Sequence, residues 1–223
     1  MARKTSIHIP EYDIKVNGLI NKPRQAFALL VLGHGAGAGM EHPFMEGLAE
    51  QLAKGGLACL RYNFPYMDQG KKAPGSAKLS LATVAAAFAK GLQLAGDLPC
   101  FVGGKSYGGR MSSLAAAEGR LKGNAGMIYF GFPLHAPGRH STDRAAHLKD
   151  IKVPMLFLQG TRDTLARQDL IESVCRPLKK TDLEIFDGAD HSFKVLKRSG
   201  MTNEAVFEDL VQRSLAWAVR KSS

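Results

Sequence analysis

The chain has 223 residues, 45% of them apolar and 22% charged, a size and balance that fit one globular domain with a sizeable core and exclude a disordered chain. Its net charge of +10 is carried by small scattered groups (Lys71-Lys72, Lys179-Lys180, Lys194 with Lys197-Arg198, Arg220-Lys221), with no dense run, zinc spacing or aromatic interleaving. Those groups read as solvated surface, or as a positive field drawing in acidic substrates, and not as a nucleic-acid footprint.

Taken in order, short apolar runs alternate with helical segments, the pattern of a largely parallel sheet covered on both faces. Residues 12–22 alternate and read as one arm of an antiparallel edge hairpin. Phe27 to Leu32 is a buried strand that ends in a Gly-rich turn, Gly33 to Gly39. A helix follows from about Phe44 to Lys54, with Met45, Leu48, Ala49 and Leu52 at helical spacing and Gly55-Gly56 as its stop.

Leu57 to Tyr62 is the next strand, followed by a polar loop to about Lys78 and an Ala-rich helix from Leu79 to Leu94. Cys100 to Val102 is a short strand running into Gly103-Gly104-Lys105-Ser106-Tyr107-Gly108-Gly109, with a small-residue helix from Arg110 to Glu118 behind it. Strands at Ala125–Phe130, Val153–Gln159 and Leu183–Phe186 and a closing helix from Asn203 to Arg220 around Trp217 complete a single domain over residues 1–223. Between Ala125–Phe130 and Val153–Gln159 lie only about twenty residues, too few for a substantial lid.

Gly104-Lys105-Ser106-Tyr107-Gly108 is a G-x-S-x-G string placed between a strand and a helix. That setting puts a serine on a tight turn and lifts its hydroxyl out of the sheet, and the flanking glycines let neighbouring backbone crowd in. A serine hydroxyl needs a base held by an acid. Asp163 follows the Val153–Gln159 strand and His191 follows the Leu183–Phe186 strand, so both fall at the rim where the Ser106 turn emerges. Asp187 and Asp190 are rival acids, ranked second and third; Asp190 adjoins the histidine, which makes alignment with the far ring nitrogen awkward. The oxyanion of a tetrahedral intermediate needs preorganised donors. The Tyr107 N–H and the Ala36 N–H are nominated, with Gly37 as a possible third, and His34 reads as a structural hydrogen-bonder.

Other sites read less well. A Walker A loop ending at Gly104-Lys105-Ser106 fails because Pro99 stands where its first glycine belongs. Gly33 to Ala38 fits G-x-G-x-x-A after a strand, with Arg61 placed for a 2′-phosphate, but an NADP site leaves Ser106, Asp163 and His191 as coincidences. His135, His140 and His147 share a loop without ligand spacing, so neither metal nor cofactor is expected. Cys59, Cys100 and Cys175 lack a C-x-x-C and read as unpaired residues of a reducing compartment, Cys59 and Cys100 within strands. No apolar run approaches the ~18 residues of a membrane span, and no apolar leader follows the charged N-terminus, so a soluble cytoplasmic location is expected.

The H-G-A-G-A turn, the G-K-S-Y-G elbow, the T-R-D and the G-A-D-H-S-F resemble the α/β-hydrolase superfamily over about residues 12 to 220. Within it the chain is most similar to the small dienelactone-hydrolase-like branch that includes testis-expressed proteins and the hydrolase-like domain of an NSL chromatin-complex subunit. The resemblance implies an α/β-hydrolase fold and a Ser106–Asp163–His191 triad, and the short connection before Val153 implies minimal or no lid. Dienelactone hydrolases themselves use cysteine as nucleophile, and at least one member of the branch is a scaffold. The expected substrate is a small soluble ester or thioester, with a non-catalytic binding module as the alternative. Lys105 and Arg110 either favour an anionic acyl group or are solvated or carboxylate-paired. Oligomeric state is left open.

Overall fold

A computed structural model describes residues 2–222 as one eight-stranded sheet flanked by helices. The strands are β1 (Arg3–Ile9), β2 (Ile14–Asn21), β3 (Ala28–Gly33), β4 (Leu57–Tyr62), β5 (Cys100–Lys105), β6 (Met127–Phe130), β7 (Met155–Gly160) and β8 (Thr181–Phe186), in the spatial order β1-β2-β4-β3-β5-β6-β7-β8. β1 and β2 pair antiparallel, as do β2 and β4; every pairing from β4 to β8 is parallel. The helices are α1 (Pro43–Lys54), α2 (Pro65–Asp68), α3 (Ala77–Ala95), α4 (Tyr107–Ala117), α5 (Gln168–Cys175) and α6 (Asn203–Ser222).

Strand alternation divides the core into two layers. Leu29, Val31, Val102, Tyr129 and Phe157 face one side, with the buried residues of α3, α4 and α5. Leu30, Leu32, Phe101, Ile128, Phe130, Leu156 and Leu158 face the other, with α1 and α6. Both layers being covered explains why these strands read as continuous apolar runs. Trp217 anchors α6: it packs beside Phe101 at a 5.7 Å centroid distance and donates its indole N–H to Asp182 Oδ2 at 2.6 Å.

Helix boundaries follow local chemistry. The His42 side chain accepts the Phe44 N–H and Pro43 opens α1, whose buried stripe is Met45, Leu48, Ala49 and Leu52 as expected. Ser76 caps α3 by accepting the Leu79 N–H at 3.2 Å, so this helix begins two residues earlier than its apolar pattern suggests. The arm at 12–22 is β2, one half of an antiparallel hairpin at the sheet edge; its partner β1, outermost in the sheet, was not marked by the sequence. Only Ile7 and Ile9 of β1 are buried, too brief an alternation to announce a strand. The polar loop contains α2, and α5 was also unforeseen; only Ile171 and Cys175 of α5 are buried. Between β6 and β7 the only regular element is a 3-10 helix, Asp143–Asp150, packed on α4, so no lid domain covers the sheet. Cys59, Cys100 and Cys175 are buried and unpaired. No helix among the described residues is long and apolar enough to cross a membrane.

Candidate active site

Because β3, β5, β7 and β8 are parallel, their carboxyl ends share one rim, and the loops leaving them are brought together there. Ser106 sits between β5 and α4 with φ 48° and ψ −111°, a conformation that costs a non-glycine residue about 1–3 kcal/mol and holds its side chain outward. The tight packing around it demands glycine at two places. A Cβ on Gly104 would run into the Gly33 carbonyl oxygen and come within 2.8 Å of the Gly108 carbonyl carbon; one on Gly108 would strike Gly33 and approach the His34 oxygen at 2.8 Å.

Ser106 Oγ lies 2.9 Å from His191 Nε2, and His191 Nδ1 lies 2.7 Å from Asp163 Oδ2. The Asp163 side chain is fully buried, and its other oxygen accepts the Leu165 N–H at 2.7 Å. The rival acids are engaged elsewhere: Asp187 accepts from Thr161 Oγ1, and Asp190 Oδ1 accepts the Ser192 and Lys194 N–H groups. The two loops are stitched to one another. Arg162 N–H donates to the Ala189 oxygen at 2.9 Å, Arg162 Nη1 to the Gly188 oxygen at 3.0 Å, and Gly188 N–H to Thr161 Oγ1 at 2.8 Å. That frame fixes the aspartate relative to the histidine before any substrate arrives.

The turn after β3 abuts the serine: a Cβ on Gly35 would lie 3.9 Å from Ser106 Cβ. The Gly37 N–H is spent on Tyr66 Oη at 3.3 Å, which removes it as a third oxyanion donor. The Ala36 N–H has no acceptor among the described residues, and the Tyr107 N–H opens α4, where the first turn leaves donors unpaired. His34 is fully buried, with Nδ1 2.7 Å from the Gly35 oxygen and Nε2 accepting the Phe64 N–H at 3.1 Å. Burial lowers its pKa, so the neutral ring braces the turn, as its sequence position suggests.

A cavity of about 860 Å³ opens at Ser106 and His191. Ala36, Met45, Leu165 and the rings of Phe44, Phe193 and Phe207 give it an apolar lining, with Lys105, Lys194 and Glu204 at its charged positions. Phe44 stacks with Phe193 at 6.1 Å and meets Phe207 edge-on at 5.7 Å, so α1, the His191 loop and α6 form one aromatic wall.

Gln159 was not singled out from sequence. Fully buried on β7, it donates Nε2 to Asp163 Oδ2 and accepts the Phe132 N–H at 3.0 Å. A glutamine closing an otherwise apolar strand four residues before the acid was the available signal. Gln159→Met strands a buried N–H and removes one donor from the carboxylate. The expected outcome is a loss of about 1–3 kcal/mol in urea unfolding, with slower turnover.

Other residues weighed from the sequence are engaged in the fold. Arg61 is buried, donating to the Met40 oxygen at 2.7 Å and Asn21 Oδ1 at 3.3 Å, so it offers nothing to a nucleotide phosphate. Arg110 does not line the cavity. Its Nε is buried without a partner among the described residues, and burial followed by the charge of Arg144 lowers its pKa. Lys105 does line the cavity, but its ammonium donates to the His191 carbonyl oxygen at 2.5 Å and pairs with no carboxylate among the described residues. His147 Nε2 lies 2.7 Å from Ser113 Oγ and His135 Nε2 accepts the Arg167 N–H, while the His140 ring meets that of His135 edge-on at 5.6 Å, apart from His147.

A mostly parallel sheet carrying a strand–serine–helix elbow, with histidine and aspartate from the next strand ends in hydrogen-bond reach, defines the α/β-hydrolase class of protein. The chain belongs to the alpha/beta hydrolase domain family, whose model matches residues 26–219. Solved structures agree in fold. Dienelactone hydrolase from Anabaena variabilis is 19% identical with a TM-score of 0.76, covering 99% of this chain and 97% of that one. A Xanthomonas campestris α/β serine hydrolase described as lacking a lid is 16% identical with a TM-score of 0.72, covering 99% and 94%. Est1E from Butyrivibrio proteoclasticus, solved with ferulic acid bound, is 18% identical with a TM-score of 0.73, covering 93% and 98%.

Proposed function

We propose that this hydrolase is a serine esterase or thioesterase acting on small soluble substrates through an acyl-enzyme on Ser106. The observation that carries the reading is the unbroken chain from Ser106 Oγ through the His191 ring to the buried Asp163 carboxylate, at 2.9 and 2.7 Å. Asp163 holds the proton on Nδ1, which leaves the Nε2 lone pair facing the hydroxyl. As Oγ bonds to the carbonyl carbon, its proton passes to Nε2 and the carbonyl oxygen becomes an oxyanion held by the Tyr107 and Ala36 N–H groups. Each such donor contributes roughly 3 kcal/mol at the transition state. The intermediate then expels the alcohol or thiol, which leaves with the proton from Nε2. Water repeats the sequence with His191 as base and releases the acid.

The open rim and apolar cavity support an acyl or alcohol group that is itself apolar, and Lys194 leaves room for an anionic substituent. A fluorophosphonate probe is expected to label the wild type and not Ser106→Ala, whose ester turnover falls by about 10⁶-fold. A folded wild type that stays unlabelled overturns the enzyme reading in favour of a binding module. Paired neutral and carboxylate-bearing p-nitrophenyl esters, with matching thioesters, then read acyl preference as kcat/KM.

A further inference from the structure

Lys105, covalently next to the nucleophile, is an unexpected residue to enclose. Its ammonium sits over the Phe193 ring at 5.6 Å and donates to one atom, the His191 carbonyl oxygen, at 2.5 Å. It presses so closely under the loop that a Cβ on Gly131 would meet Nζ at 2.9 Å and His191 Cε1 at 3.4 Å. The rest of that loop is closed by Asp190, whose backbone and carboxylate bond Ser192, Phe193 and Lys194. Among the described residues no other donor reaches the His191 carbonyl.

We propose that Lys105 is a positioning residue: a strut from the nucleophile's own backbone to the backbone of the general base, setting the Ser106–His191 separation independently of Asp163. The inference rests on the hydrolase reading for its kinetic consequence. The short link Ser106–Lys105···O=C–His191 spans the side of the imidazole residue that the aspartate does not touch. Asp163 orients the ring, and Lys105 fixes where the ring is mounted.

Enclosure strips water from the ammonium, a cost that a neutral amine at the same place does not bear. Burial lowers the Lys105 pKa from 10.5 to about 8, against the opposing charges of Asp163 and Asp190. A basic group whose pKa is lower folded than unfolded binds its proton more weakly in the native state. Stability therefore rises as pH climbs from about 8 toward 10.5.

The test is Lys105→Met, with Lys105→Cys as second variant. In Lys105→Met, kcat on a p-nitrophenyl ester is expected to fall about 10- to 100-fold with KM changed less than about 3-fold, as for a small misplacement of a reacting group. Lys105→Cys is expected to be equally slow, and alkylation with 2-bromoethylamine, which rebuilds an ammonium at nearly the same length, restores kcat to within a few-fold of wild type. Because Cys59, Cys100 and Cys175 are buried, the reagent meets only the new thiol on the cavity wall. The His191 Nδ1 proton, followed by ¹H NMR, sharpens and broadens with the strut and needs no substrate, so it tests the positioning even in a chain without turnover. A Lys105→Met enzyme within about 2-fold of wild-type kcat overturns the proposal. So does a folded, alkylated Lys105→Cys that stays slow, or a Nδ1 resonance indifferent to position 105.

Discussion

Asp163→Asn is expected to lower kcat by about 10⁴-fold with little change in KM, the size of loss seen when a triad acid can no longer select the working tautomer. The carboxylate meets three donors: Leu165 N–H on Oδ1, and Gln159 Nε2 and His191 Nδ1 on Oδ2. An asparagine must aim its NH₂ at one side of that set. Aimed at the Leu165 side, it confronts a backbone N–H that cannot change its role. Aimed at the His191 side, it drives the imidazole to accept at Nδ1, which moves the ring proton to Nε2 and faces it at the Ser106 oxygen. Gln159 cannot relieve the conflict by flipping, because its Oε1 is already committed to the Phe132 N–H. The variant keeps its shape and its cavity while losing its base. The checks are kcat and KM on one chromogenic ester beside the melting temperature; turnover within 10-fold of wild type removes Asp163 from the orienting role.

The same cluster shows what a sequence can and cannot disclose about a site. Ser106, Asp163 and His191 were legible because each stands in the loop directly following a strand, and parallel strands deliver their carboxyl ends to one rim. Their order along the chain therefore carried spatial information. Gln159 and Lys105 carry none of that: their parts depend on which atom of a neighbouring loop they reach, a tertiary distance that no spacing rule encodes. Gly37 shows the opposite limit. The small-residue turn was rightly placed against the serine, yet the Tyr66 hydroxyl, from the unforeseen helix α2, takes the Gly37 N–H out of play. In the fold, the double-faced strands β3 to β7 were evident from their unbroken apolar runs. β1 and α5 escaped because each buries only two side chains, so their stability comes from pairing and packing and leaves little periodicity.

Gly104→Ala is expected to destabilise the fold by about 4 kcal/mol or more, in the range reserved for changes with no route to relaxation. The added methyl meets only backbone: the Gly33 carbonyl oxygen, the Gly108 carbonyl carbon at 2.8 Å and the Gly109 nitrogen at 2.9 Å. A clash with a side chain is relieved by a rotamer change, but here β3, β5 and the first turn of α4 would have to separate. β3 and β5 pair through Gly33 and Gly104 themselves, so that separation opens the sheet at its centre. Function is lost by the same movement, since the elbow holding Ser106 at positive φ is built on this contact. Gly75→Ala is the control: its Cβ meets nothing within 4 Å and its backbone is not left-handed, so it is expected to be neutral or to stabilise by about 0.4–1 kcal/mol through the unfolded chain. Urea midpoints of the two variants decide the matter. A Gly104→Ala midpoint equal to wild type means that the elbow is not packed as tightly as its three glycine neighbours require.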